Sequence, residues 1–168
     1  MKRFFFFTIL ILSLLFCLGC NREDVKIRPS GKTLDYEQDE TMETVFFSLE
    51  ILNIEIARNF QEHIPESKKT KFLALEVSIT NLSDKELPLT YGDFPLSLVD
   101  FETDQDHFLP LEAFLDEQLP DTFLLKSEEN LIGLLIYEVP KEADEFQLIY
   151  EEIYQDDFIG NTHIFLIR

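Results

Sequence analysis

The chain has 168 residues, with 33 acidic side chains against 14 basic ones, a net charge of −19, and 45% hydrophobic residues. That length suits one domain able to bury roughly two-thirds of its unfolded surface. So acidic a balance excludes a nucleic-acid role, which needs clustered Lys and Arg for phosphate, and two cysteines, Cys17 and Cys20, are too few for a disulfide framework.

Lys2 and Arg3 form a short positive start, and residues 4–18 follow as an apolar run broken only by Thr8 and Ser13. As a helix that run spans about 22 Å. This is short of the roughly 20 residues of a membrane span and suits the apolar region of a signal peptide. Gly19-Cys20 ends the run. Cys17-Leu18-Gly19-Cys20 resembles the lipobox of bacterial lipoproteins, although Cys17 stands where leucine is usual. The resemblance implies cleavage between Gly19 and Cys20, with lipid, including palmitate, attached at Cys20. Residues 1–19 are therefore expected to leave, and the loss of Lys2 and Arg3 takes the charge from −19 to −21. Such a domain is repelled by an anionic membrane surface within about 8–10 Å. Attachment is then expected to come from the lipid, at the outer face of the cell membrane.

Residues 20–43 read as the lipidated cysteine and a flexible tether, polar and poor in large apolar groups. Ser30-Gly31-Lys32-Thr33 matches the end of a phosphate-binding loop, but Lys26 occupies the position of its leading glycine. From residue 44 to 168 the pattern is that of strands. Phe47, Leu49 and Ile51 alternate with polar residues, then Ile54 and Ile56 do so in the opposite phase, which predicts a bulge at Ile51-Leu52. Residues 71–80 form the clearest strand, with Leu73, Leu75, Val77 and Ile79 on one face. Further strands are expected at 86–90, 94–101, 107–111, 131–139, 146–153 and 163–167, with Pro140 ending one of them. Leu111, Phe114, Leu115 and Gln118 have helical spacing and predict one short helix or helical turn. Seven or eight short strands without a long helix predict an antiparallel β-sandwich.

Residues 72–85, a long strand followed by Thr80-Asn81 and a Ser83-Asp84 turn, resemble a segment of a domain-of-unknown-function family common on Gram-positive lipoproteins. Residues 94–100 are similar to its next strand. Residues 133–143, containing Val139-Pro140, are similar to its strand ending in Val-Pro, and residues 146–150 complete that motif. The resemblance covers about residues 44–153. It implies an immunoglobulin-like β-sandwich, similar in fold to a small secreted mycobacterial immunogenic protein, and brings no catalytic residues. Where the family has Pro-Gly before the Val-Pro strand, this chain has Ser127-Glu128-Glu129-Asn130 and so lacks glycine's freedom at positive φ.

Little in the sequence points to chemistry. His63, His107 and His163 have no partners at ligand spacing, no thiol remains free, and no Gly-x-Ser-x-Gly elbow is present. The chain is expected not to be an enzyme and to need no cofactor. Asp100, Glu102, Asp104 and Asp106 recur at every second position. They are candidates for weak calcium binding, in about the millimolar range, or for a solvated hairpin in which they repel one another. Asn81-Leu82-Ser83 matches a glycosylation acceptor and reads as a turn. The apolar segment 109–115, with Leu119, Phe123 and Leu124, is expected to cap an end of the sandwich or to present a partner-binding patch. The leading expectation is a lipid-anchored, non-catalytic interaction domain with a protein partner. The alternatives are a cation- or small-ligand-binding lipoprotein and an accessory subunit of an envelope enzyme.

Overall fold

Thr70–Asn81, here β4, organises the molecule. Its Leu73, Leu75, Val77 and Ile79 are fully buried on the face that alternation assigns to them. A computed structural model describes residues 31–60, 62–99, 107–154 and 156–168. In chain order the strands are β1 Thr33–Tyr36, β2 Met42–Glu43, β3 Phe47–Ala57, β4, β5 Leu87–Thr90, β6 Leu96–Leu98, β7 Thr122–Leu125, β8 Asn130–Pro140, β9 Phe146–Ile153 and β10 Ile159–Ile167. One sheet has the order β2-β3-β4-β8, a second β1-β10-β9-β6, and β5 pairs with β7 in a small third. All pairings are antiparallel except β1 with β10, which run parallel.

The core lies between the two four-stranded sheets. Phe47, Leu49, Leu75, Leu135, Tyr137 and Val139 meet Leu96, Phe146, Leu148, Tyr150, Phe165 and Ile167 there. Ring contacts join the layers, with Phe47 edge-on to Tyr150 at 4.6 Å and to Phe94 at 6.0 Å. The expected immunoglobulin-like β-sandwich is therefore the fold. The predicted bulge is present, since Ile51 pairs with Val77 but Asn53 with Glu76, leaving Leu52 as the extra residue.

Three expectations need correction. The folded domain does not begin at residue 44. Residues 33–36 pair with Thr162–Phe165 of β10, and Met42 is fully buried, so the second half of the expected 20–43 tether belongs to the sandwich. Its side chains are few and mostly polar, and only the edge of β10 makes them a strand. The strand number is ten among the described residues, because β1, β2 and β7 escape alternation. Segment 107–111 is no strand beyond a single bridge from Phe108 to Leu96. Of the expected short helix or helical turn, the turn is what forms, closed by the Gln118 N–H donating to the Leu115 carbonyl.

The apolar segment after residue 109 caps no end of the sandwich. It crosses the outer face of β4 and β8, where Leu111, Phe114 and Leu115 pack on Phe72, Ala74 and Ile136. It also follows the free edge of β8, with Leu111 N–H to Ile136 O, Leu119 N–H to Leu134 O and Leu134 N–H to Glu117 O. Covering an edge in this way protects it from pairing with other chains. The approach is close enough to require Gly133, where a Cβ would stand 2.7 Å from Leu119 Cδ2 and 3.2 Å from Glu117 O. Leu109 and Leu124 remain more than half exposed.

Candidate binding groove

A groove of about 700 Å³ opens between β5 and the far end of β9, a volume in the range that holds small ligands or peptide side chains. Its existence follows from the topology. Along β9 the three residues of β6 reach only Phe146–Leu148, and the Ile149 N–H donates to Pro95 O. Before that point the chain lies in a 3-10 turn, Tyr91–Asp93, capped by the Asp93 carboxylate accepting the Thr90 N–H at 2.7 Å. Beside Glu151–Ile153 no strand is present among the described residues, and the groove occupies that place.

Phe46, Leu87, Leu89, Tyr150, Ile153 and Tyr154 line it with apolar and aromatic surface, and Ser83, Lys85, Glu86, Asp93, Glu151 and Asp156 stand around them. Four carboxylates against one ammonium make the site anionic. Burial first, then the negative charges of Asp93 and Glu152 and the Tyr154 phenol, push the Tyr150 phenol well above its ordinary value. Tyr150 therefore meets the groove as a neutral hydroxyl.

Behind the groove lies a buried polar cluster that spacing along the sequence does not reveal. Glu152 on β9 and His163 on β10 both occupy inward positions, with Glu152 Oε1 and His163 Nε2 3.1 Å apart. Oε1 also accepts the Val45 N–H at 3.0 Å, and Oε2 accepts the Asn161 N–H at 2.9 Å. The Tyr36 hydroxyl is 3.0 Å from His163 Nδ1. A carboxylate only accepts, so Nε2 carries a proton and donates it to Glu152. Gly160 allows the cluster to close, since a Cβ there would stand 2.6 Å from Glu152 Oε2. His163, weighed in the sequence only for metal-ligand spacing, thus has hydrogen-bond partners that spacing did not indicate. A usable signal was present: Glu152 continues the inward phase of Phe146, Leu148 and Tyr150, and His163 that of Phe165 and Ile167. The cluster ties β1, β9, β10 and the β2–β3 turn together, with Glu152 and His163 buried and Tyr36 half-buried at its margin.

Gly19 and Cys20 lie outside the described residues, as do Asp100, Glu102, Asp104 and Asp106. His63 packs on the Phe114 ring at 4.1 Å between centroids, and His107 is exposed. Among the described residues no group of three or more His, Cys, Asp or Glu could hold a metal ion. No described helix is long and apolar enough to cross a membrane.

The sandwich is similar to solved bacterial structures. ycdA of Bacillus subtilis, described as a lipoprotein, matches with a TM-score of 0.61 at 17% identity over 79% of this chain and 38% of that one. The present chain thus spans well under half of ycdA. yjhA of Bacillus subtilis matches with a TM-score of 0.59 at 15% identity, over 77% of this chain and 99% of that one. The secreted protein MPT63 of Mycobacterium tuberculosis matches with a TM-score of 0.52 at 6% identity, over 80% and 98%. At these identities the likeness is one of fold. No family model matches the chain, and no curated protein matches it in sequence.

Proposed function

We propose that this chain is a non-catalytic interaction module, held by lipid on Cys20 at the outer face of the cell membrane, with the groove between β5 and β9 as its binding site. The groove carries the reading: it joins an apolar, aromatic lining to an anionic rim in an opening where no strand lies beside β9 among the described residues. The Gly19-Cys20 junction after an apolar run supports the anchor, as does the likeness to a protein described as a lipoprotein. The non-catalytic reading is supported by Glu152 and His163, whose side chains are each 1% exposed and committed to structural hydrogen bonds.

The test is site-specific photo-crosslinking on intact cells. A photoreactive residue replaces Glu86 at the groove rim, or Glu55 far along β3 as a control, each with and without Cys20→Ser. One discrete adduct from position 86, absent from position 55 and lost on release of the protein by Cys20→Ser, is expected. Equal labelling from both positions, or none from 86, overturns the groove as the binding site. Retention of the position-86 adduct by the Cys20→Ser chain overturns the need for an anchor.

A further inference from the structure

We infer that the groove takes an extended, basic peptide segment as an added strand on the free edge of β9. This rests on the reading of the groove as a binding site and names the chemistry of its partner.

Main-chain direction carries the argument. Along a strand, alternate residues turn their N–H and C=O to the same side. The Ile149 N–H points to β6, where it meets Pro95 O, while the Tyr154 N–H points the other way, to Phe158 O in the β9–β10 hairpin. The main-chain groups of Glu151 and Ile153 are therefore turned the same way as those of Ile149, into the groove. Pro95 has no N–H to return to the Ile149 carbonyl. From the Ile149 carbonyl to Ile153, about 14–17 Å of main chain thus faces the opening with no neighbouring strand among the described residues. A partner strand there would continue the line of β6.

The opposite wall is built differently. The Tyr91 N–H bonds Asp121 O across the β5–β7 pair, so odd-numbered residues of β5 face β7 and even-numbered ones face the groove. Of those, Pro88 has no N–H and the Thr90 N–H is taken by Asp93. Between Leu87 and Thr90 the groove side of β5 thus offers no free main-chain donor, whereas β9 turns those of Glu151 and Ile153 to the opening. The edge of β8, by contrast, is covered by the segment after residue 109.

Charge and shape select the occupant. Glu86, Asp93, Glu151 and Asp156 surround the opening against Lys85 alone, so an acidic segment is repelled and a basic one attracted. Strand addition supplies affinity through the main chain and selectivity through alternate side chains. One side chain in two would meet the aromatic lining, where Tyr150 and Tyr154 also suit a cationic tip.

The test uses the full-length chain in detergent micelles and the capped hexapeptide Lys-Val-Lys-Val-Lys-Val. Controls are the same hexapeptide with alternate backbone nitrogens methylated, which keeps the charge, and Glu-Val-Glu-Val-Glu-Val. Calorimetry is expected to show at least tenfold tighter binding of the unmethylated basic peptide than of either control. Its addition is expected to slow amide hydrogen exchange at Glu151 and Ile153 at least tenfold. Ile153→Pro, which removes a groove-facing N–H, and Glu151→Lys, which keeps it and reverses a charge, should each weaken binding at least tenfold. Equal binding of the methylated peptide, or unchanged exchange at Glu151 and Ile153, overturns strand addition. Equal binding of the acidic peptide overturns the basic partner. Failure of every hexapeptide while the crosslink from position 86 persists overturns this inference and leaves the groove reading in place. Loss of that crosslink overturns both.

Discussion

Glu152 and His163 face each other on adjacent strands with Oε1 and Nε2 3.1 Å apart and side chains only 1% exposed. Strand alternation places both inside, and three donors, one from the β2–β3 turn and two from β10, converge on the carboxylate to satisfy it. Removing one partner of such a pair leaves the rest buried and unmet, at about 3–5 kcal/mol. Glu152→Ala is therefore expected to lower unfolding free energy by that order in denaturant titration. A loss below about 1 kcal/mol would show that the cluster is not holding β1, β9 and β10 together.

Asn81 explains the Thr80-Asn81 pair of the family-like segment. It is fully buried at the end of β4. Its amide donates to the carbonyls of Lys85, Leu125 and Lys126, while its Oδ1 accepts the Ser83 N–H. One side chain thus pins the turn after β4 to the end of β7. Asn81→Ala should cost about 2–3 kcal/mol by leaving buried polar groups unmet. Serine at this position, which keeps one donor and one acceptor, should cost less in the same thermal or denaturant assay.

Glu128 sits at φ 63 in the turn before β8. The left-handed geometry is kept there although the residue is not glycine, which costs about 1 kcal/mol. Glu128→Gly is expected to raise the melting temperature by a few degrees. An unchanged or lower value would mean that the glutamate side chain makes good that cost.

Gly133→Ala tests the covered edge of β8. The new methyl would meet Leu119 Cδ2 and the Glu117 carbonyl below ordinary contact distance. Overpacking of this kind costs about 1–3 kcal/mol. Hydrogen exchange should accelerate at Leu119 and Leu134, whose N–H groups hold that edge. Unaltered exchange there would place the strain elsewhere.

Burial pushes the Tyr137 phenol well above its usual value near 10, and its hydroxyl donates to Phe94 O at 2.9 Å. Above about pH 10 the unfolded chain loses a proton that the folded chain keeps, so stability falls as pH rises through that range and is unaffected below it. Tyr150, also raised by burial, adds to the same trend. Tyr137→Phe should lower stability near pH 7 by about 1 kcal/mol. It should also flatten the alkaline loss by roughly one proton per unfolding event. An unaltered slope in denaturant titrations from pH 8 to 11 would contradict this.

The sequence was most legible where one face of a strand is apolar and the other polar. Leu73, Leu75, Val77 and Ile79 announce β4, and the change of phase at Ile51-Leu52 announces the bulge, because a side-chain period of two is a local property. β1 and β2 were not legible, since their short polar runs become strands only by borrowing the edges of β10 and β3. β7, a run of Thr122-Phe123-Leu124-Leu125 without alternation, gave no period to read. The groove was invisible for the same reason. None of its parts, Leu87, Asp93, Glu151 or Tyr154, is unusual alone, and the edge of β9 is left open because β6 begins only at Leu96, after the 3-10 turn.

By itself, then, the sequence determined the acidic character, the strand-rich class, the phase of the long strands and the signal-like start with its cysteine. Each depends on composition or on near neighbours. The tertiary structure decided where the domain begins, what covers β8, the burial of Glu152 against His163, and the gap beside β9. Most of these depend on contacts between segments well separated in the chain, as when Tyr36 meets His163, 127 residues away, and contacts of that reach leave no local period for a sequence to show.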